Sequence, residues 1–145
     1  MHSTAVGRSK RSGFSLIELL SVIIIIAVLA AIALPNYSMH VRKGRRTDAQ
    51  NILMRIAAEQ ERHYTSFNRY TADLSGAPPT GLGMASLTSE HGYYTVAGAV
   101  GVNAQTFTLT ATPGGTQTSD ECGNLTLSSA DAKGFSGDES NGGCW

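Results

Sequence analysis

The sequence predicts an α+β chain in which a long N-terminal α-helix, first apolar and then amphipathic, packs on a small antiparallel β-sheet. Three observations carry this expectation. Residues 14–34, FSLIELLSVIIIIAVLAAIAL, form one apolar run whose only charge is Glu18. Beyond it, Ala49, Ile52, Leu53, Ile56, Ala57, Tyr64 and Phe67 recur at helical spacing, with Arg55, Glu59, Glu61 and Arg62 between them. Of sixteen glycines, only Gly7, Gly13 and Gly44 precede residue 76. Glycine is costly inside helices and useful in turns, so the chain reads as helix first and strands with loops afterwards. At 145 residues it can bury one modest core and not two.

Residues 1–13 are short and polar, with Arg8, Lys10 and Arg11 just ahead of Gly13. As a helix the following run is about 30 Å long, enough to cross a bilayer core. It is apolar on every side, which fits a membrane span better than one face of a soluble helix. The basic residues ahead of it favour a cytoplasmic N-terminus. A secretory signal peptide has a shorter apolar stretch, about 7–15 residues, ending at a small-residue cleavage site. A plain anchor fits the length but leaves Glu18 unexplained, because a carboxylate in a bilayer is costly and a functional candidate by default.

The helix is expected to continue to about residue 66, with Pro35 removing a backbone donor and bending or locally melting it. Gly44 adds a weaker point. Arg42, Lys43, Arg45 and Arg46 form a basic collar beyond the span. It runs against the positive-inside tendency and could meet lipid headgroups, neighbouring subunits or DNA. DNA is the lesser candidate, since no interleaved aromatic ladder is visible. From Phe14 to Tyr70 there are seven basic and four acidic side chains, and from Thr71 onward one basic and seven acidic. A basic helical half and an acidic C-terminal half could steer subunits head to tail, or could be two unrelated solvated surfaces.

A loop-rich connection carrying Pro78, Pro79, Gly76, Gly81 and Gly83 is followed by three strand candidates, 93–99, 105–112 and 124–128. Turns at 101–104 and 114–115 suggest an antiparallel meander against the amphipathic half of the helix. The two cysteines, Cys122 and Cys144, would enclose a C-terminal loop if they pair, worth about 3 kcal/mol in the chain-entropy model. An even pair beyond a membrane span suits an oxidising compartment. A metal site is the rival, with too few ligands for zinc.

The arrangement GFSLIELL resembles the type IV prepilin signature: a short basic leader, then Gly13, Phe14, and Glu18 at the fifth position of the mature chain. Pro35 falls where many pilins carry a helix-kinking proline. The run CGNLTLSSADAKGFSG, with its closing CW, is similar to the C-terminal region of PilE-like minor pilins, where a disulfide bounds the last loop. The resemblance implies the pilin fold, with cleavage by a prepilin peptidase between Gly13 and Phe14 and N-methylation of Phe14. The new amine would lie four residues from Glu18, on the same helix face. The carboxylate could pair with its own amine or with that of a neighbouring subunit, the second being its role in the family, and an unpaired Glu18 would be costly. The same resemblance implies a Cys122–Cys144 disulfide. It divides the chain into a leader (1–13), a transmembrane and filament-core helix (14–35), an amphipathic helix (36–66), a connecting loop (67–91) and a sheet with a disulfide-bounded loop (92–145).

The implied partners are other pilin subunits, the prepilin peptidase, the inner-membrane assembly machinery and, before assembly, membrane lipid. The implied location is the bacterial inner membrane with the head periplasmic, then the extracellular pilus. Twitching motility, adhesion and DNA uptake are all compatible, in a minor or a major subunit. No catalytic set accompanies this and no cofactor is implied. His2, His40, His63 and His91 are scattered, and Gly81-Leu-Gly83 is too short a fragment to cradle phosphate. Asn124-Leu-Thr126 matches a glycosylation sequon, read here as coincidence. Asp120-Glu121 and Asp138-Glu139 could ligate calcium only with several carbonyls, and a solvated acidic loop is the better reading. Two rivals stand beside a pilin. One is a pseudopilin of a type II secretion system, whose major family carries a calcium loop in place of the cysteine-bounded tail. The other is a membrane-anchored periplasmic binding module, for DNA for example, which would have no need of Glu18.

Overall fold

The computed structural model describes residues 13–139 and 143–145, with backbone alone at residues 34–36. Apart from Gly13, the expected leader lies outside the described residues. Helix α1 takes in Leu16–Phe67, and strands β1 (Tyr94–Val100), β2 (Phe107–Pro113), β3 (Leu125–Ser128) and β4 (Lys133–Phe135) follow it. The chain forms two units, one ending at Tyr37 and the other Ser38–Trp145.

In the first unit the Ser15 carbonyl accepts the N–H groups of both Glu18 and Leu19, and α1 begins there. Glu18 lies in its first turn, where a negative charge complements the helix dipole. None of the apolar window is buried within the chain, and Leu16, Ile17, Leu20, Ile23, Ile26 and Leu29 are all exposed. A helix apolar on all sides must be covered by lipid or by other helices.

The second unit holds the core. Ala49, Ile52, Leu53 and Ile56 of α1 are buried at the spacing of one helix face. They meet Tyr94 and Val96 of β1, Phe107, Leu109 and Ala111 of β2, and Leu125 and Leu127 of β3. In β1, β2 and β3 the buried positions alternate with exposed or half-buried ones, the pattern of a sheet covered on one face. All neighbours pair antiparallel in the order β1-β2-β3-β4. Tyr94 stands opposite Pro113, Leu109 opposite Leu127 and Leu125 opposite Phe135.

The expected meander is thus present, with each of its three strands displaced by two residues or fewer. The addition is β4. Its three residues show no alternation and are ordered by the turn before them. There the Ser128 Oγ accepts the N–H groups of Ala130 and Ala132, and the Ser128 N–H donates to the Ala132 carbonyl. Short loops in the connection are tied back to the helix. The buried Gln60 carboxamide donates to the Thr71 carbonyl and accepts the Thr71 N–H, so the chain after α1 is fixed where it turns. Beyond β4 the backbone runs beside the segment entering β3, with Gly137 donating to the Cys122 carbonyl. The approach is so close that a Cβ at Gly137 would overlap the Glu121 carbonyl, which leaves glycine as the residue that fits.

Candidate functional site

At the N-terminus, Gly13 and Phe14 are exposed and precede the first helical residue, Leu16. Nothing lies within 4 Å of where a Gly13 side chain would be. Irregular, uncovered backbone of this kind is what a peptidase cleft can accept. Glu18 is on the exposed surface of the first turn. Pro35 lies within α1, whose helical run is continuous through it.

In the second unit Cys122 and Cys144 form a disulfide, with both residues 1% exposed. Next to it is a charged cluster that the sequence did not reveal. Arg46 makes two hydrogen bonds to Asp120, Nε to Oδ2 at 2.9 Å and Nη2 to Oδ1 at 2.6 Å. The two side chains are 6% and 1% exposed, so this is a buried, two-pronged ion pair. Gln117 Nε2 donates to Asp120 Oδ2 and Tyr94 Oη at 3.0 Å each, and to the Arg42 carbonyl at 3.1 Å. Arg46 Nη1 also reaches the Gly143 carbonyl at 3.4 Å. One network therefore ties α1, β1, the 3-10 turn at Gly115–Ser119 and both arms of the disulfide loop.

The electrostatics follow from burial and pairing. Burial alone would push the Asp120 carboxyl up, but the hydrogen bonds and charge of Arg46 outweigh it, and the group is held below the usual carboxylate range. The Asp120 hydrogen bond raises the Arg46 guanidinium further above its ordinary value. Burial pushes the Tyr94 hydroxyl up to about 12. Asp120, weighed from sequence as part of a calcium loop, is instead the internal counter-ion of Arg46. Part of the opposite charge that could have met between subunits is thus joined within one.

Two more collar residues, Arg42 and Arg45, are likewise engaged. Arg42 Nη1 donates to the Ser119 carbonyl at 3.0 Å, and Arg45 Nη1 to Thr116 Oγ1 at 2.9 Å. The Arg45 guanidinium also sits 4.3 Å from the centroid of the Tyr93 ring. Tyr93 in turn stacks with His91, at 6.2 Å and 15° between planes. His91 approaches Asp48 at 3.2 Å. Burial would push the Asp48 carboxyl up, but hydrogen bonds from Ser89 and His91 bring it below its ordinary value. Arg45, distant in sequence from Tyr93 and His91, thus joins them in space as one cation–aromatic cluster. His63 is buried, with its ring nitrogens at the Arg69 and Pro79 carbonyls, in a loop-holding role.

A helix of apolar residues entered through Gly-Phe-x-x-x-Glu, followed by an α1-on-meander head closed by a disulfide, defines a type IV pilin. The prokaryotic N-terminal methylation motif matches residues 8–34, and residues 35–126 match the family described as "Type IV minor pilin ComP, DNA uptake sequence receptor". The chain belongs to that ComP minor pilin family.

Similar proteins agree. A type IV pilin structure from Shewanella oneidensis superposes with a TM-score of 0.51 at 31% identity, covering 72% of this chain and 97% of that one. The type IV major pilin protein PilA of Myxococcus xanthus is 34% identical over 62 residues, 43% of this chain and 28% of PilA. Fimbrial protein EcpC of Eikenella corrodens is 37% identical over 67 residues, 46% of this chain and 44% of EcpC. The matched stretch therefore spans less than half the length of these two relatives.

Proposed function

We propose that the chain is a minor subunit of a bacterial type IV pilus, cut from its precursor by a prepilin peptidase between Gly13 and Phe14, whose head binds DNA. The new amine of Phe14 is then methylated. Glu18 neutralises that amine on a neighbouring subunit as the helix leaves lipid for the filament core, while Pro35 lets the helix bend. Before assembly the apolar helix lies in the inner membrane with the head in the periplasm, and afterwards the head faces outward from the pilus. The subunit does no catalysis of its own, and the peptidase and the inner-membrane assembly machinery act on it. The observation that carries this reading is that two matches adjoin, the methylation motif over residues 8–34 and the minor pilin family over residues 35–126.

The uncovered apolar surface of α1 supports a polymerising role. An exposed carboxylate one turn into an apolar helix has a use only if an opposite charge reaches it. Among the roles pili serve, twitching motility and adhesion included, the family description favours DNA uptake. The cationic collar with aromatic rings beside it supports the same choice.

Two measurements test the reading. In cells lacking the native copy, Glu18→Ala should be processed and stable in the membrane yet missing from sheared pili; incorporation at wild-type levels would contradict the role given to Glu18. The full-length protein in detergent should bind labelled DNA in low salt, with log affinity falling linearly as log salt rises. No binding at about 50 mM salt would remove the DNA part of the proposal.

A further inference from the structure

We infer that the groove between α1 and Trp145 is a subsite for an unpaired nucleotide of DNA, its phosphate on Lys43 and its base against the indole. This rests on the DNA-binding reading above and adds where and in what form the strand is held. The argument begins with the collar. Arg42, Arg45 and Arg46 are used within the head, on Ser119, Thr116 and Asp120. Lys43 is exposed and makes no hydrogen bond or ion pair among the described residues. It is the collar charge left for an external anion.

Lys43 is not isolated. His40, Lys43, Thr47 and Gln50 recur at the spacing of one helix stripe and line a groove of about 380 Å³ whose other wall includes Trp145. That volume lies at the small-ligand end of the usual range, about 300–1,000 Å³. A single nucleotide fits within the groove, whereas a paired helix could only lie across its mouth. The indole is held in place on several sides. Its Nε1 donates to the Gly134 carbonyl at 2.7 Å, and its neighbour Cys144 is anchored in the disulfide. The Lys133 ammonium stands 5.3 Å from the ring centroid.

The half-buried indole packs against the core and its N–H is spent on Gly134, so the part of it that lines the groove is offered to a ligand as π surface. A base can stack there whatever its identity, and stacking platforms flanked by cations are the recurring way of holding single strands. Lys43 in the groove and Lys133 beside the ring supply the cationic side. The Gln50 carboxamide is the group in the groove best able to read a base edge. An anionic lipid headgroup shares the phosphate chemistry but has no flat ring for Trp145. The pairing of cation and indole therefore favours the nucleotide.

Trp145 is the only tryptophan in the chain, so tryptophan emission excited selectively over the five tyrosines reports on this one ring. The full-length protein in detergent micelles would be titrated with labelled oligothymidylate of about 10 nucleotides, within the site sizes of single-strand binders. Anisotropy follows binding while Trp145 emission follows occupancy of the groove. Binding and quenching should proceed together. Lys43→Gln should weaken single-strand binding about three- to tenfold in low salt and reduce the salt slope by about 0.7. Arg62→Gln, an equal loss of charge on an exposed helix position, should change neither.

If the strand binds with Trp145 emission unchanged and Lys43→Gln binds as well as wild type, DNA is held elsewhere. The inference then fails and the DNA-binding reading stands. If neither single strand nor duplex shifts the anisotropy, both fall. Equal quenching by a duplex of the same length contradicts the unpaired-nucleotide claim. Quenching by short-chain phosphatidylglycerol without a response to DNA makes the groove a lipid site and overturns the inference.

Discussion

Arg46 and Asp120 lie 74 positions apart and meet with almost no exposure, so neither charge can be removed alone without stranding the other. Losing one partner of such a pair typically costs about 3–5 kcal/mol, although a buried pair as a whole need not stabilise relative to apolar residues. Asp120→Ala should therefore lower the unfolding free energy of the head by about that amount, read by urea titration. The double change Arg46→Met with Asp120→Leu should cost less than Asp120→Ala alone. Acid tests the same pair independently. The Asp120 and Asp48 carboxyls are both lowered in the folded head, so their contribution is present above the unfolded value of about 3.9. It is lost as pH falls through the folded values. Stability should drop steeply below about pH 4, and Asp120→Asn should flatten that drop. An unchanged acid slope in the variant would contradict the assignment.

Among the elements, α1 and the disulfide loop do different work. The amphipathic part of α1 supplies the core, and Leu53→Ala, at a fully buried position, should cost about 2–5 kcal/mol. The disulfide spans a sequence separation of 22 and acts mainly by restricting the unfolded chain. Cys122→Ser with Cys144→Ser should cost about 3 kcal/mol, with the urea midpoint falling by the same extent on reduction of the wild type. A larger effect on Trp145 emission than on global stability would show that the bond's main task is to position the indole.

For the molecule as a whole, the elements governed by local chemistry were legible in the sequence. The apolar run, the helical stripe from Ala49 to Ile56 and the alternation of Phe107, Leu109 and Ala111 each announce an element by their own period. What was not legible depends on pairing across the fold. Nothing near Arg46 foretells Asp120, and nothing in Lys-Gly-Phe marks β4 until β3 lies beside it. The collar read as four equivalent charges because no local pattern distinguishes Lys43 from its three engaged neighbours. Tyr93, His91 and Arg45 likewise become adjacent only when the loop before β1 closes on α1. The N-terminal motif is the opposite case: its meaning lies in the spacing of Gly13, Phe14 and Glu18, and the fold adds little to it.

The central claim is that this chain becomes a filament subunit by a cut that creates the charge Glu18 needs. N-terminal sequencing combined with intact mass measurement of the protein from cells tests it most directly. The account predicts a mature chain beginning at N-methylated Phe14. A chain retaining Met1, or one cleaved within the apolar run at residues 30–34, would contradict it.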